Sequence, residues 1–378
     1  LSIVRWDMTG DNRGYWLGFG LVRGIGPARV RALLDAFGDV ETAWNASRED
    51  LRAVGLNAAL VDALIDARAH IDLQKELDRI DRAGFTLFTW EDPKYPERLL
   101  EIDAPPPVLF AWGALEFEDR WAAAVVGTRK PTAYGSDVAH EVASVLARNG
   151  VTVVSGLARG VDSIAHRAAL EAGGRTLAVL GSGVDYIYPR EHRRLAEQIA
   201  TNGAVLSDYP LGTRPEPGNF PPRNRIISGL ALVVVIVEAG ESSGALITAE
   251  FAADQGRDVF AVPGSIYSHA SRGTNRLIQS GARPLLSVDE VLEALNLDVL
   301  ARQETVSEAL PEDETERQLL QALAAEPLHV DELGVRCGLP VSQVSASLAM
   351  LELKGRVRQV GGMHYMRARE PQAEYRVE

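Results

Sequence analysis

The stretch Gly218-Asn219-Phe220-Pro221-Pro222-Arg223-Asn224-Arg225-Ile226-Ile227-Ser228-Gly229 runs directly into Leu230-Ala231-Leu232-Val233-Val234-Val235-Ile236-Val237. Eight apolar residues in a row, with no alternation, read as a strand buried on both faces, as in a parallel sheet covered by helices. The two prolines predict an extended approach, followed by an apolar helix turn and then the strand Leu230–Val237. On either side of this segment the same punctuation repeats. Strands are expected at Ala122–Val126, Val151–Val154, Thr176–Leu180, Ala204–Leu206, Val259–Val262 and Pro284–Leu286, and helices near Ser136–Arg148, Asp162–Ala172, Glu191–Ala200, Ala245–Gln255 and Gly273–Gln279.

Short apolar runs alternating with amphipathic stretches predict an α/β domain, with a central Rossmann-like, doubly wound, mostly parallel sheet over residues 85–300. Residues 1–84 read as short helices. There Gly24-Ile25-Gly26-Pro27 before an apolar-periodic helix resembles a helix-hairpin-helix (SAM-like) turn. Such a turn either offers backbone N–H groups to a DNA phosphate or serves plain packing. Residues 301–316 hold six acidic residues, one arginine and a proline and read as a linker. Residues 317–378 read as a helix, a turn at Gly338, a helix over Val341–Leu353 and a hairpin from Gly355 to Tyr365, the order of a winged helix-turn-helix.

With 46% hydrophobic residues the 378-residue chain can bury several cores, and neither a long apolar span nor a basic, apolar leader is visible. A cytoplasmic protein with no membrane association is expected. The single Cys337 and seven scattered histidines predict no disulfide, no metal site and no cofactor. The net charge of −13 opposes nucleic-acid binding taken alone, yet residues 121–230 carry 12 Lys/Arg against 9 Asp/Glu. Only Lys75, Lys94, Lys130 and Lys354 are lysines, so the positive charge is almost all arginine. That bias suits phosphate contact, and a GC-rich genome gives the same bias.

In a doubly wound sheet, ligands sit beyond the carboxyl ends of the strands. Gly127-Thr128-Arg129-Lys130 leaves one such end, without the Gly-x-Gly-x-x-Gly and acidic partner of a dinucleotide site. Ser155-Gly156-Leu157-Ala158-Arg159-Gly160 and Gly181-Ser182-Gly183 form two further turns whose amides are expected to face phosphate; Asp162 is read as the cap of the helix after the first. Arg223 and Arg225 flank Asn224, and their spacing is read as bringing both guanidinium groups to one helix start, with Asn219 and Phe220 just ahead. Phe220 offers a stacking face to a base. The alternative is that Arg223 and Arg225 make internal ion pairs and Phe220 is core. Ser243 and Gly244, at the next helix start, read as an anion site or a plain cap.

The ordered series Gly127-Thr-Arg129, Ser155-Gly-Leu-Ala-Arg-Gly-Val-Asp162, Gly181-Ser-Gly183 with Tyr188-Pro189, Phe220-Pro-Pro-Arg-Asn-Arg225, Glu238 with Ser243-Gly244, and Val262-Pro263-Gly264 resembles the DNA-processing protein A family, also called DprA or Smf. The resemblance implies binding of single-stranded DNA, its protection, and loading of the recombinase RecA during natural transformation. It also implies a homodimer, with Leu277 and Ile278 in its interface. It places Arg129, the Ser155 and Gly181 turns, Phe220, Arg223 and Arg225 along the strand, with Arg214 standing where many members have lysine. Catalytic residues are not implied. Duplex DNA remains open as a partner of the terminal domains. Two other readings stay open: a nucleotide-processing enzyme of the lysine-decarboxylase-like phosphoribohydrolase type, using Glu238, Glu250, Asp162 or Asp208, and a winged-helix transcriptional regulator.

Overall fold

The computed structural model describes residues 12–295, 314–323, 328–353, 357–359 and 363–367. They fall into two compact units, divided between Leu295 and Asn296. Most of the expected acidic linker, residues 301–313, lies outside the described residues, and Glu314–Glu316 open the helix Glu314–Ala322.

The first unit is built on a nine-stranded sheet: β1 (Thr86–Thr89), β2 (Val108–Gly113), β3 (Ala122–Val126), β4 (Thr152–Ser155), β5 (Thr176–Val179), β6 (Gly203–Ser207), β7 (Val233–Ile236), β8 (Asp258–Ala261) and β9 (Arg283–Pro284). Their order is β1-β2-β6-β5-β4-β3-β7-β8-β9. All pairs from β6 to β9 are parallel, whereas β1–β2 and β2–β6 are antiparallel. The fold is therefore a mostly parallel α/β sheet, and the chain crosses from one half to the other beside β3. Every residue of β3 to β7 is buried, because helices cover both faces.

Two features depart from the sequence reading. Strands β1 and β2 were not expected: β1 has only four residues, and the prolines and the short helix Glu97–Leu100 that separate it from β2 break the strand–helix alternation seen further on. The helix after Asn219 runs eleven residues, Phe220–Leu230, and the strand begins at Val233 instead of Leu230. Pro221 and Pro222 sit inside its first turn, where a missing N–H costs nothing, so they start the helix and do not hold an extended approach.

Six helices between Arg13 and Arg82 pack as a bundle. Its core continues into the sheet, since Trp16, Phe19, Val30, Leu33 and Leu64 share one apolar cluster with Leu87, Val108 and Phe110 of β1 and β2. Trp16 meets Trp90 edge-on at 5.5 Å. Residue 84 thus marks a change of secondary structure without a break in packing. The hairpin turn is present, with Gly24 at φ 95° and Gly26 ahead of the helix Pro27–Phe37.

In the second unit, helices Glu314–Ala322, Val330–Cys337 and Val341–Leu353 enclose Leu319, Leu333, Val344, Leu348 and Leu351. Gly338 closes the middle helix in the left-handed conformation, φ 66°. Beside the expected hairpin, β11 (Val357–Gln359) and β12 (His364–Arg367), a two-residue β10 (Leu328–His329) adds a third strand. This is a winged helix. Among the described residues, no helix is long and apolar enough to cross a membrane.

Candidate nucleic-acid interface

At the carboxyl ends of β3, β4 and β5 the strand-to-helix turns border an open cleft lined by Arg129, Gly156, Ala158, Arg159, Tyr188, Pro189, Phe220 and Arg223. It takes in about 330 Å³ of empty space, open solvent at its mouth included.

The Phe220 ring is the centre of the cleft. The guanidinium carbon of Arg129 lies 5.5 Å from its centroid, that of Arg223 5.9 Å, and Tyr188 tilts against it at 5.9 Å. Arg129 is exposed, and among the described residues it has no ion pair. Its loop is fixed from below by Glu238, whose buried carboxylate accepts from the Thr132 N–H at 2.9 Å and the Thr132 hydroxyl at 2.6 Å, while its carbonyl accepts the Thr128 N–H. Gly181 permits Phe220 to lie where it does, since a Cβ there would stand 2.9 Å from the ring.

The floor holds two buried charged groups, Arg223 and Asp162, which attract each other through space without a direct ion pair. Arg223, 4% exposed, donates from Nη1 to the Gly156 carbonyl at 2.9 Å, and its Nε has no partner among the described residues. Burial lowers its pKa to about 10, against the opposing pull of Asp162 and Asp208, so it stays charged at neutral pH. Asp162 accepts the Gly156 and Ala158 N–H groups at 3.2 and 3.3 Å. Its carboxyl is raised by burial, with Arg223 and the two amides pulling the other way. Leu157 between them takes a left-handed φ of 56°, a strained conformation for a side-chain-bearing residue, and its carbonyl accepts from His192 Nδ1 at 2.9 Å.

This arrangement corrects the reading of the second turn. The Gly156 and Ala158 amides do not wait for a phosphate: Asp162 already occupies them, and it sits inside the helix Val161–Glu171 without capping it. Ser155 is buried and donates to the Val125 carbonyl. The Gly181 and Ser182 amides, by contrast, meet no acceptor among the described residues. Buried amides are nearly always paired, so these two stand out as the unpaired donors of the turn.

The arginine pair is also divided. Because the helix starts at Phe220, positions 223 and 225 project about 200° apart instead of to one side. Arg223 enters the cleft, while Arg225 turns inward and bonds the Ala104 carbonyl, the Pro222 carbonyl and Asp208, the last at 2.8 Å. Arg225 therefore follows the internal-pair alternative. Asn224 is buried and donates to the Gly244 carbonyl, and Ser243 caps the helix Gly244–Asp254 by accepting the Ala245 N–H. Asn219 ties the Gly181 and Arg214 carbonyls together, which holds the exposed Arg214 beside the cleft but outside its lining. Gly183 donates to Thr213, Ser182 to Tyr186, and Lys130 is exposed next to Thr128. Gly127 packs against Val161.

Arg159, Tyr188 and Pro189 line the cleft without having been picked out as site residues. Arg159 carried a signal of its own, an arginine within a turn otherwise made of small residues. The four carboxylates considered for catalysis do not converge: Glu238 and Asp162 hold loops, Asp208 pairs with Arg225, and Glu250 is exposed on its helix.

Comparison with known proteins bears on the whole chain. A model described as DNA recombination-mediator protein A matches residues 86–296, one of the DprA winged helix domain matches 303–363, and one of a SAM-like helix-hairpin-helix tandem matches 21–69. Protein Smf of Synechocystis sp. is 36% identical over 95% of this chain and all of its own length. The crystal structure of DNA processing protein A from Streptococcus pneumoniae superposes with a TM-score of 0.67 at 35% identity, covering 76% of this chain and 98% of that one. DNA processing protein A of Helicobacter pylori, whose structure addresses its single-stranded DNA binding mode, gives 0.52 at 32% identity, covering 57% and 98%.

Proposed function

The chain belongs to the DNA recombination-mediator protein A (DprA/Smf) family, and from that premise we propose that it binds single-stranded DNA in the cleft around Phe220. One observation carries this: an exposed, ion-pair-free Arg129 and a buried, charged Arg223 flank the same partly exposed aromatic ring. A ring with cations on its rim stacks a base and meets the adjoining phosphates at once, and needs no base-edge reading. The cleft reconciles this with the net charge of −13, because affinity depends on the local field. The kinship with the Helicobacter pylori protein supports the same ligand. The test is anisotropy of a labelled oligothymidylate with the wild type, Arg129→Ala and Phe220→Ala. Loss in both variants supports the cleft, and unchanged binding refutes it.

The further role is protection of the strand and loading of RecA during transformation, in a soluble cytoplasmic homodimer. Support for self-association is the short edge strand β9 with half-buried Leu277 and Ile278 on the preceding helix and Leu286 74% exposed just beyond it. An apolar surface beside an open sheet edge is the kind that a second copy covers. Ile278→Asp should yield a monomer in sedimentation velocity. A role in binding and not in catalysis agrees with the dispersed carboxylates.

A further inference from the structure

We propose that Arg159 is a second phosphate-binding residue of the cleft, held in position by Glu191; this rests on the cleft being the strand site. Arg159, in the turn after β4, lines the same cleft as Phe220. Its Nε donates to Glu191 Oε1 at 2.6 Å, and among the described residues its two Nη groups have no partner. The guanidinium is 61% exposed in its side chain and the carboxylate 52%. A guanidinium engaged through one edge is oriented, and the edge that remains presents two parallel N–H groups, the fork that matches two oxygens of a phosphate.

The backbone places this fork next to Arg129. Gly160, at φ 78°, leaves no room for a side chain, since a Cβ would stand 2.7 Å from the Arg129 carbonyl carbon. The Val161 N–H donates to the Thr128 carbonyl. The two arginine-bearing turns are thereby locked together, and both cations line the cleft that also holds Phe220 and Tyr188. Two cations on one rim with one stacking ring match a base and the phosphates on either side of it.

Glu191 does not close the site. It occupies only Nε, and the hydrogen bond from Arg159 holds its carboxyl below the usual range, so it is ionised at neutral pH. Its charge opposes an incoming phosphate, while its acceptor oxygen orients the fork. Gln at this position keeps the acceptor and removes the charge, which separates the two effects.

The experiment measures oligothymidylate binding to the full chain at several salt concentrations for the wild type, Arg159→Ala, Arg159→Lys and Glu191→Gln. Arg159→Ala should weaken binding about tenfold and reduce the log–log salt slope by about 0.7, one phosphate contact on a single strand. Arg159→Lys should restore the slope but only part of the affinity, because lysine offers no fork. Glu191→Gln should tighten binding severalfold. Arg159→Ala with wild-type affinity and slope overturns this proposal while leaving the cleft reading intact; a wild type that does not bind, or that binds unaffected by Arg129→Ala, overturns the cleft reading itself. Equal unfolding midpoints for wild type and Arg159→Ala confirm that a loss is not a folding defect.

Discussion

Replacing Arg223 by methionine removes a charge from the floor of the cleft while filling most of its volume. In the folded chain Asp162 then keeps its two amide hydrogen bonds but loses the cation that attracts its carboxylate, at a position 7% exposed. Leaving the buried carboxylate without its compensating cation costs up to about 3–5 kcal/mol, the range for a directly bonded pair. Asp162→Asn leaves Arg223 with the Gly156 carbonyl at 2.9 Å and costs less, about 1–3 kcal/mol. The double variant buries no charge, so its loss should fall short of the summed single losses by about 2 kcal/mol or more. Urea unfolding followed by tryptophan fluorescence reads this directly, since all six tryptophans lie between Trp6 and Trp121 and report on the first unit. Additive losses would refute the electrostatic coupling, and a binding-competent double variant would refute the place of Arg223 in the cleft.

Arg225→Ala should lower stability by about 1–3 kcal/mol through its broken bonds to Ala104, Pro222 and Asp208, with little change in oligothymidylate affinity beyond that of the unfolded fraction. Gly181→Ala should weaken DNA binding severalfold at nearly unchanged urea midpoint, by displacing the Phe220 ring, and a wild-type affinity would show that the ring position is immaterial. Acid should expose His166: it is fully buried, with Nδ1 on the Thr176 hydroxyl, and burial, His192 and Arg223 lower its pKa from 6.5 to about 3. Above pH 6.5 the imidazole is neutral in both states and the shift has no effect; as pH falls from 6.5 towards 3 the unfolded chain takes up a proton that the folded chain refuses, so stability drops, by up to about 4 kcal/mol. His166→Gln should lack that part of the acid loss in urea titrations at pH 7, 5 and 4.

The α/β character, the parallel strands and the winged helix were legible because they are written in local patterns: Ala122–Val126 and Val233–Ile236 are unbroken apolar runs, and Gly338 closes a helix as its left-handed φ requires. Strands β1 and β2 escaped although Val108–Trp112 is an apolar run, since β1 has only four residues and the two pair antiparallel outside the strand–helix alternation that marks the parallel sheet, with part of their burial supplied by the helical bundle. At the site, Arg129, Phe220 and the glycine turns were identifiable as residue types placed at strand ends. What each group does was not, because function here depends on which hydrogen bonds are already taken. Asp162 lies six residues beyond Gly156, and only the folded turn shows its carboxylate filling the amide cradle. Arg223 and Arg225 look alike in the chain; the register of one helix sends the first into the cleft and the second to Asp208. Sequence determined the elements and the chemistry available to them, and the tertiary structure decided which donors remained free for a ligand, since buried polar groups bond first to whatever the fold brings nearest.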